Sequence, residues 1–126
     1  MKKIAIAFVI YIITSSPILA ENTVDGLKKE IRAMISMLSS NDHNELKKFI
    51  IKYAVPEEMA GKVNDEMVDV FKNRKKDRLL NALEAAVSGA PRLMSDGVTY
   101  RVSIGNGEDE IDFIYKANTG HFHIKN

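Results

Sequence analysis

Two histidines near the C-terminus have a spacing that suits a metal ion. His121 and His123 are two residues apart, so on a strand both imidazoles project from one face, and Asp112 on a neighbouring strand could add a carboxylate. A structural zinc site, however, needs about four ligands, and the chain has no cysteine. Phe122 and Ile124 alternate with the histidines and are expected to face the core. The pattern therefore predicts solvent-exposed histidines, with a surface metal site at His121 and His123 as an alternative.

The same histidines carry the only acid–base hypothesis that the sequence supports. An enzyme of this kind needs His121 or His123 to converge with a carboxylate inside a cavity. Nucleophilic chemistry is disfavoured because cysteine is absent and no serine stands in a Gly-x-Ser-x-Gly segment. The glycines around Asn106 lead into a predicted strand, whereas a phosphate-binding loop opens a helix. No catalytic or cofactor-binding residue is assigned, and a small pocketed enzyme remains the second hypothesis.

Residues 72–78 form the strongest charge cluster, with five basic side chains among seven residues. Such a cluster could contact an anionic surface, at about 1 kcal/mol for each basic residue. Asp77 interrupts it, and apolar helical stripes lie on either side. The arrangement favours a solvated helix face or a turn between helices.

The N-terminus has the three parts of a secretory signal peptide. Lys2 and Lys3 precede an apolar run over residues 4–13, and a segment with Pro17 then leads to Ala20. The run is well short of the roughly 20 apolar residues that a membrane span needs. We therefore expect cleavage after about Ala20, a periplasmic or secreted protein, and membrane contact only during export.

The remaining residues, 21–126, are enough for a single domain. Removing Lys2 and Lys3 leaves 16 basic and 17 acidic side chains, a formal net charge of −1. This balance and the expected export both argue against a nucleic-acid partner. An exported chain without cysteine needs a packed core in place of disulfides, which is typical of the bacterial periplasm.

Apolar residues recur with helical spacing over residues 23–87 and predict three to four helices. The first runs over about residues 23–38 with Thr23 as its cap, the second ends near Ala54, and Pro56 begins a third. Gly61 and Asn64 weaken the third, so a break there is allowed. Its apolar stripe is Met59, Val63, Met67, Val70 and Phe71. After the basic cluster, a further stripe continues to residue 87.

From Val98 onward the apolar period changes from 3.6 to 2. Three alternating segments, over residues 98–104, 111–116 and 121–125, are separated by glycine-containing turns and predict an antiparallel meander. Residues 92–94 could add a fourth strand. The sequence thus predicts an α+β fold, in which N-terminal helices pack on a C-terminal antiparallel β-meander of three to four strands.

Several phrases resemble a known superfamily. They are Phe-Ile-Ile-Lys-Tyr-Ala-Val-Pro-Glu-Glu at 49–58, Leu-Leu-Asn-Ala-Leu at 79–83, Phe-Ile-Tyr-Lys at 113–116 and Gly-His-Phe-His-Ile-Lys-Asn at 120–126. Together they resemble small exported bacterial domains akin to the nuclear-transport-factor-like (cystatin-like α+β) superfamily, in which helices lead into a curved antiparallel sheet. The chain departs from that pattern in having few strands for a deep pocket. The resemblance implies a binding or accessory role and transfers no catalytic residue.

Export, small size and the absence of a catalytic set together favour a non-catalytic binding or accessory module. Its expected partner is another protein or a small apolar ligand. The pocketed enzyme and the surface metal-binding protein remain the alternatives.

Overall fold

The computed structural model describes residues 20–125. Of the predicted signal peptide, residues 1–20, only Ala20 lies within the described residues. Within residues 20–125, no helix combines the length and apolar character needed to cross a membrane.

The N-terminal part is helical. The α-helices are α1 (Val24–Ser39), α2 (His43–Phe49), α3 (Asp65–Arg74) and α4 (Lys76–Val87); a π-helical turn (Ile50–Ala54) continues α2, and a 3-10 helix (Glu57–Lys62) precedes α3. The predicted cap at Thr23 is confirmed, because its hydroxyl accepts a hydrogen bond of 3.0 Å from the amide of Gly26. Asp42 and Asn64 cap α2 and α3 in the same way.

The third predicted helix differs from the expectation. Pro56 opens only a 3-10 helix, and α3 starts anew after the Asn64 cap, so the predicted break is present. The new start changes the buried face: Val68 is fully buried, whereas Val70 is 47% exposed. Val70 of the predicted apolar stripe is therefore not covered by the core. The basic cluster contains the junction between α3 and α4 at Lys75, as the turn interpretation predicted.

The C-terminal part is a four-stranded antiparallel sheet in the order β1-β2-β3-β4. Its strands are β1 (Arg92–Leu93), β2 (Thr99–Ile104), β3 (Asp109–Lys116) and β4 (His121–Lys125). Tyr100 pairs with Phe113, which pairs with Ile124, so one face carries an apolar row across three strands. The predicted meander and the α+β fold class are confirmed.

One hydrophobic core joins the two parts of the chain. Helical residues such as Leu27, Phe49 and Leu83 belong to the same buried cluster as Phe113 and Phe122 of the sheet. Burying each such side chain contributes about 1.5–3 kcal/mol. Because helices and sheet share this core, each supplies apolar surface that the other needs.

Candidate functional site

The structure places the two histidines differently from the prediction. His123 is only 7% exposed, and the side chain of His121 is 17% exposed. Phe122 between them is fully buried, as predicted. The expectation that both histidines lie on the solvent face was therefore wrong. His121 is covered because a carboxylate from α1, Glu30, reaches the start of β4.

Glu30 is the centre of a buried polar cluster. The hydroxyl of Tyr53 donates a hydrogen bond of 2.7 Å to Glu30 Oε2, and the amide of Phe122 donates one of 3.0 Å to Oε1. Nδ1 of His121 lies 2.9 Å from the same Oε1. Burial and the hydrogen bond to Glu30 both raise the pKa of Tyr53 above its ordinary value. The cluster thus ties α1 and the π-helical turn to β4.

His123 has a different environment from His121. Its Nε2 lies 2.8 Å from the hydroxyl oxygen of Thr119, and its buried Nδ1 has no hydrogen-bond partner within residues 20–125. Burial, reinforced by the positive charge of Lys116, lowers the pKa of His123 below its ordinary value. The structure therefore favours a neutral imidazole at this position.

Asp112, the predicted third ligand, is not in hydrogen-bond contact with the two histidines. Asp112 instead accepts two hydrogen bonds from Arg101, at 2.9 and 3.0 Å, and this contact lowers the pKa of Asp112. Among the residues that the structure describes, no group of three or more His, Cys, Asp or Glu side chains could hold a metal ion. The metal site at His121 and His123 stays a prediction with two ligands.

A second feature is an open groove of about 1090 Å³ between α3, α4, the π-helical turn and the sheet. We call it the apolar groove. Its helical side chains include Met67, Val70, Phe71 and Leu79, and its apolar strand side chains are Ile104, Ile111 and Ile124.

The lining of the apolar groove is incompletely covered. Val70 is 47% exposed, and Met67, Phe71 and Ile124 are only partly buried against the core. Contiguous exposed apolar surface is uncommon on a soluble monomer and marks binding sites. The groove is concave, and its volume is close to the 300–1,000 Å³ typical of small-molecule sites.

Charged side chains border the apolar groove. Lys75 and Arg78 come from the α3–α4 junction and α4, while Glu108 and Asp109 come from the turn before β3 and its first residue. Glu110 also lines the groove; it forms ion pairs with Arg92 and Arg101.

Comparison with protein-family models, curated proteins and solved structures finds no match. The resemblance to the nuclear-transport-factor-like superfamily therefore stays a prediction. Two features of the structure are candidates for a functional site: the Glu30 cluster and the apolar groove.

Sequence periodicity detected the side chains of the groove but not the groove itself. Met67 and Phe71 were predicted to lie on an apolar helix face, which is correct. Periodicity shows which face of a helix is apolar, but it does not show whether another element covers that face.

Proposed function

We propose that this protein is an exported, non-catalytic binding module that holds a small apolar ligand in the apolar groove. The observation that carries the proposal is the half-covered lining, supplied by both the helices and the sheet, with Val70 47% exposed at its surface. A ligand seated there would complete the burial of these side chains, at about 25 cal/mol for each Å² removed from water.

The shape of the groove favours a small ligand over a protein partner. Standard protein–protein interfaces bury about 800 Å² on each partner over broad surfaces. Small-molecule sites are instead concave and mostly apolar, with a few polar groups at the edge. The apolar groove, walled by two helices and three strands, has the second form.

The enzyme hypothesis receives less support from the geometry. A histidine–carboxylate pair does exist, between His121 and Glu30, but neither residue lines the apolar groove. The two oxygens of Glu30 are already engaged by three groups from other elements. A structural tie between α1 and β4 explains this arrangement without a substrate.

Titration with a neutral polarity-sensitive dye such as Nile red tests the proposal. We expect saturable binding to the wild-type protein and about tenfold weaker binding to Val70→Asp, because a carboxylate in the groove must be desolvated. Val24→Asp is the matched control, since Val24 is 39% exposed on α1 and does not line the groove. Absence of binding to the wild type, or equal binding to the wild type and Val70→Asp, would contradict the proposal.

A further inference from the structure

We propose that the ligand of the apolar groove is an anionic single-chain amphiphile whose head group is bound by Lys75 and Arg78. This inference rests on the proposed function, because it names the chemical class that the groove accepts. It assigns a role to two side chains of the basic cluster over residues 72–78.

The side chains of the basic cluster differ in burial and in whether they line the apolar groove. Lys76 turns inward, is buried and donates a hydrogen bond to the side chain of Asn41. Lys75 is exposed and stands at the α3–α4 junction, where its φ of −123° interrupts the helical path. Arg78, also exposed, lies one turn further along α4. Lys75 and Arg78 line the apolar groove, whereas Lys72 and Arg74 do not.

Neither cation that lines the groove takes part in an ion pair within residues 20–125. Asp77, the acid within the cluster, does not line the groove. An ammonium and a guanidinium beside apolar side chains complement a molecule with an anionic head and an apolar chain, and the guanidinium can bind a carboxylate through two hydrogen bonds.

The acidic side chains of the groove favour one orientation of such a ligand. Glu66 lies at the opposite end of α3 from Lys75, about 13 Å away along the helix axis at 1.5 Å per residue. Glu108 and Asp109 line the groove from the turn before β3 and from its first residue. Because Glu66 would repel an anionic head, the proposed ligand has its head at the α3–α4 junction, while its alkyl chain covers apolar side chains such as Val70.

The experiment compares three twelve-carbon amphiphiles, namely dodecanoate, dodecanol and dodecylammonium. Each competes with the bound dye at concentrations at which the amphiphile is monomeric. The full chain is expressed and purified as the cell processes it. We expect dodecanoate to bind about tenfold more tightly than dodecanol, with dodecylammonium the weakest.

Two double variants locate the head-group site. K75Q/R78Q should remove the preference for dodecanoate and leave dodecanol binding unchanged. K72Q/R74Q removes the same charge from the same cluster, outside the groove, and should keep the wild-type preference. If both variants lost the preference for dodecanoate equally, the preference would come from the overall electrostatic potential of the cluster. That result would overturn the inference.

Other outcomes separate this inference from the proposed function. Equal binding of dodecanoate and dodecanol, or tighter binding of dodecylammonium, overturns the inference while the groove keeps its function. If neither the dye nor any of the three amphiphiles binds, the proposed function itself is rejected. Binding to vesicles of anionic phospholipid without binding of monomeric dodecanoate also overturns the inference, because it identifies a membrane surface as the partner.

Discussion

Glu30 is a buried carboxylate that contacts polar groups from two other elements. It is 7% exposed and accepts from the hydroxyl of Tyr53 and the amide of Phe122, with His121 at hydrogen-bond distance. Buried donors that lose their acceptor cost about 1–3 kcal/mol each. The stability of the fold should therefore depend strongly on this one carboxylate.

We expect Glu30→Ala to lower the free energy of unfolding by about 3–5 kcal/mol, because it leaves buried donors of the π-helical turn and β4 without an acceptor. Urea unfolding measures the change. Glu84→Ala on the exposed face of α4 is the control and should stay within about 0.5 kcal/mol of the wild type. Equal effects of the two substitutions would contradict a structural role for Glu30.

His123 should make stability depend on pH. Burial lowers its pKa in the folded protein below the 6.5 of an unfolded chain, and the charge of Lys116 acts in the same direction. The unfolded chain then binds more protons just below pH 6.5, so this contribution to stability is present above pH 6.5 and is lost on acidification. The slope for one proton is at most about 1.4 kcal/mol per pH unit.

Urea unfolding at pH 7.5 and pH 5.5 tests this expectation. The wild type should lose stability between the two values, and His123→Gln should lose less, because glutamine does not titrate and can still reach Thr119. Glu57, His121 and Glu30 also influence His123 and are present in both proteins. The same pH dependence in the two proteins would show that His123 is not responsible.

The sequence predicted the chemistry of these residues better than their surroundings. Alternation along β4 correctly placed Phe122 in the core but took the other face as solvent. Glu30 and His121 are 91 positions apart, and no local pattern connects them. Burial of a histidine by such a distant carboxylate follows from the packing of α1 against the sheet edge.

At the scale of elements, α1 depends on a close approach near its first turn. Gly26 is buried there, and a Cβ at this position would lie 2.0 Å from the carbonyl oxygen of Glu21. The preceding segment is held in turn by a hydrogen bond of 3.1 Å from the side-chain amide of Asn22 to the carbonyl of Gly97, in the loop before β2. A side chain at Gly26 must push this segment away from that loop.

We expect Gly26→Ala to lower the free energy of unfolding by about 1–3 kcal/mol through this overlap. Gly61→Ala is the matched control, because a Cβ at Gly61 meets nothing within 4 Å. It should be neutral or slightly stabilising, since alanine restricts the unfolded chain. Thermal unfolding of both variants provides the test, and a neutral Gly26→Ala would show that the segment before α1 moves freely.

Elements were predicted well wherever a local signal was strong. The cap at Thr23, the break near Asn64 and the change to period two after Val98 each mark a boundary that the structure has. The buried face of α3 was predicted less well. The apolar stripe was continued through the 3-10 helix, so it included Val70, which is 47% exposed, and omitted Val68, which is fully buried. Helical phase can be carried along a sequence only while the helix is continuous.

For the whole molecule, the signal peptide predicts export. Cleavage after Ala20 would leave a chain beginning at Glu21, shortly before α1. Intact-mass measurement on protein from the periplasmic fraction should give the mass of residues 21–126. Recovery of the chain with Met1 from the soluble cytosol would contradict export.

The α+β architecture could be predicted from the sequence because it follows from two apolar periods in succession. The apolar groove could not, because it is the space that α3, α4 and the sheet leave between them. Its existence depends on the angles and distances at which these elements pack, which periodicity does not determine.

The proposed function depends on the binding of an apolar ligand in this groove. Two-dimensional amide NMR during titration with dodecanol is the sharpest test, since a neutral alkyl chain probes the groove without the head-group site. We expect saturable chemical-shift changes confined to groove residues, among them Val70, Leu79 and Ile104, with Glu30 and His121 unaffected. Absence of shifts, or shifts centred on the Glu30 cluster, would contradict it.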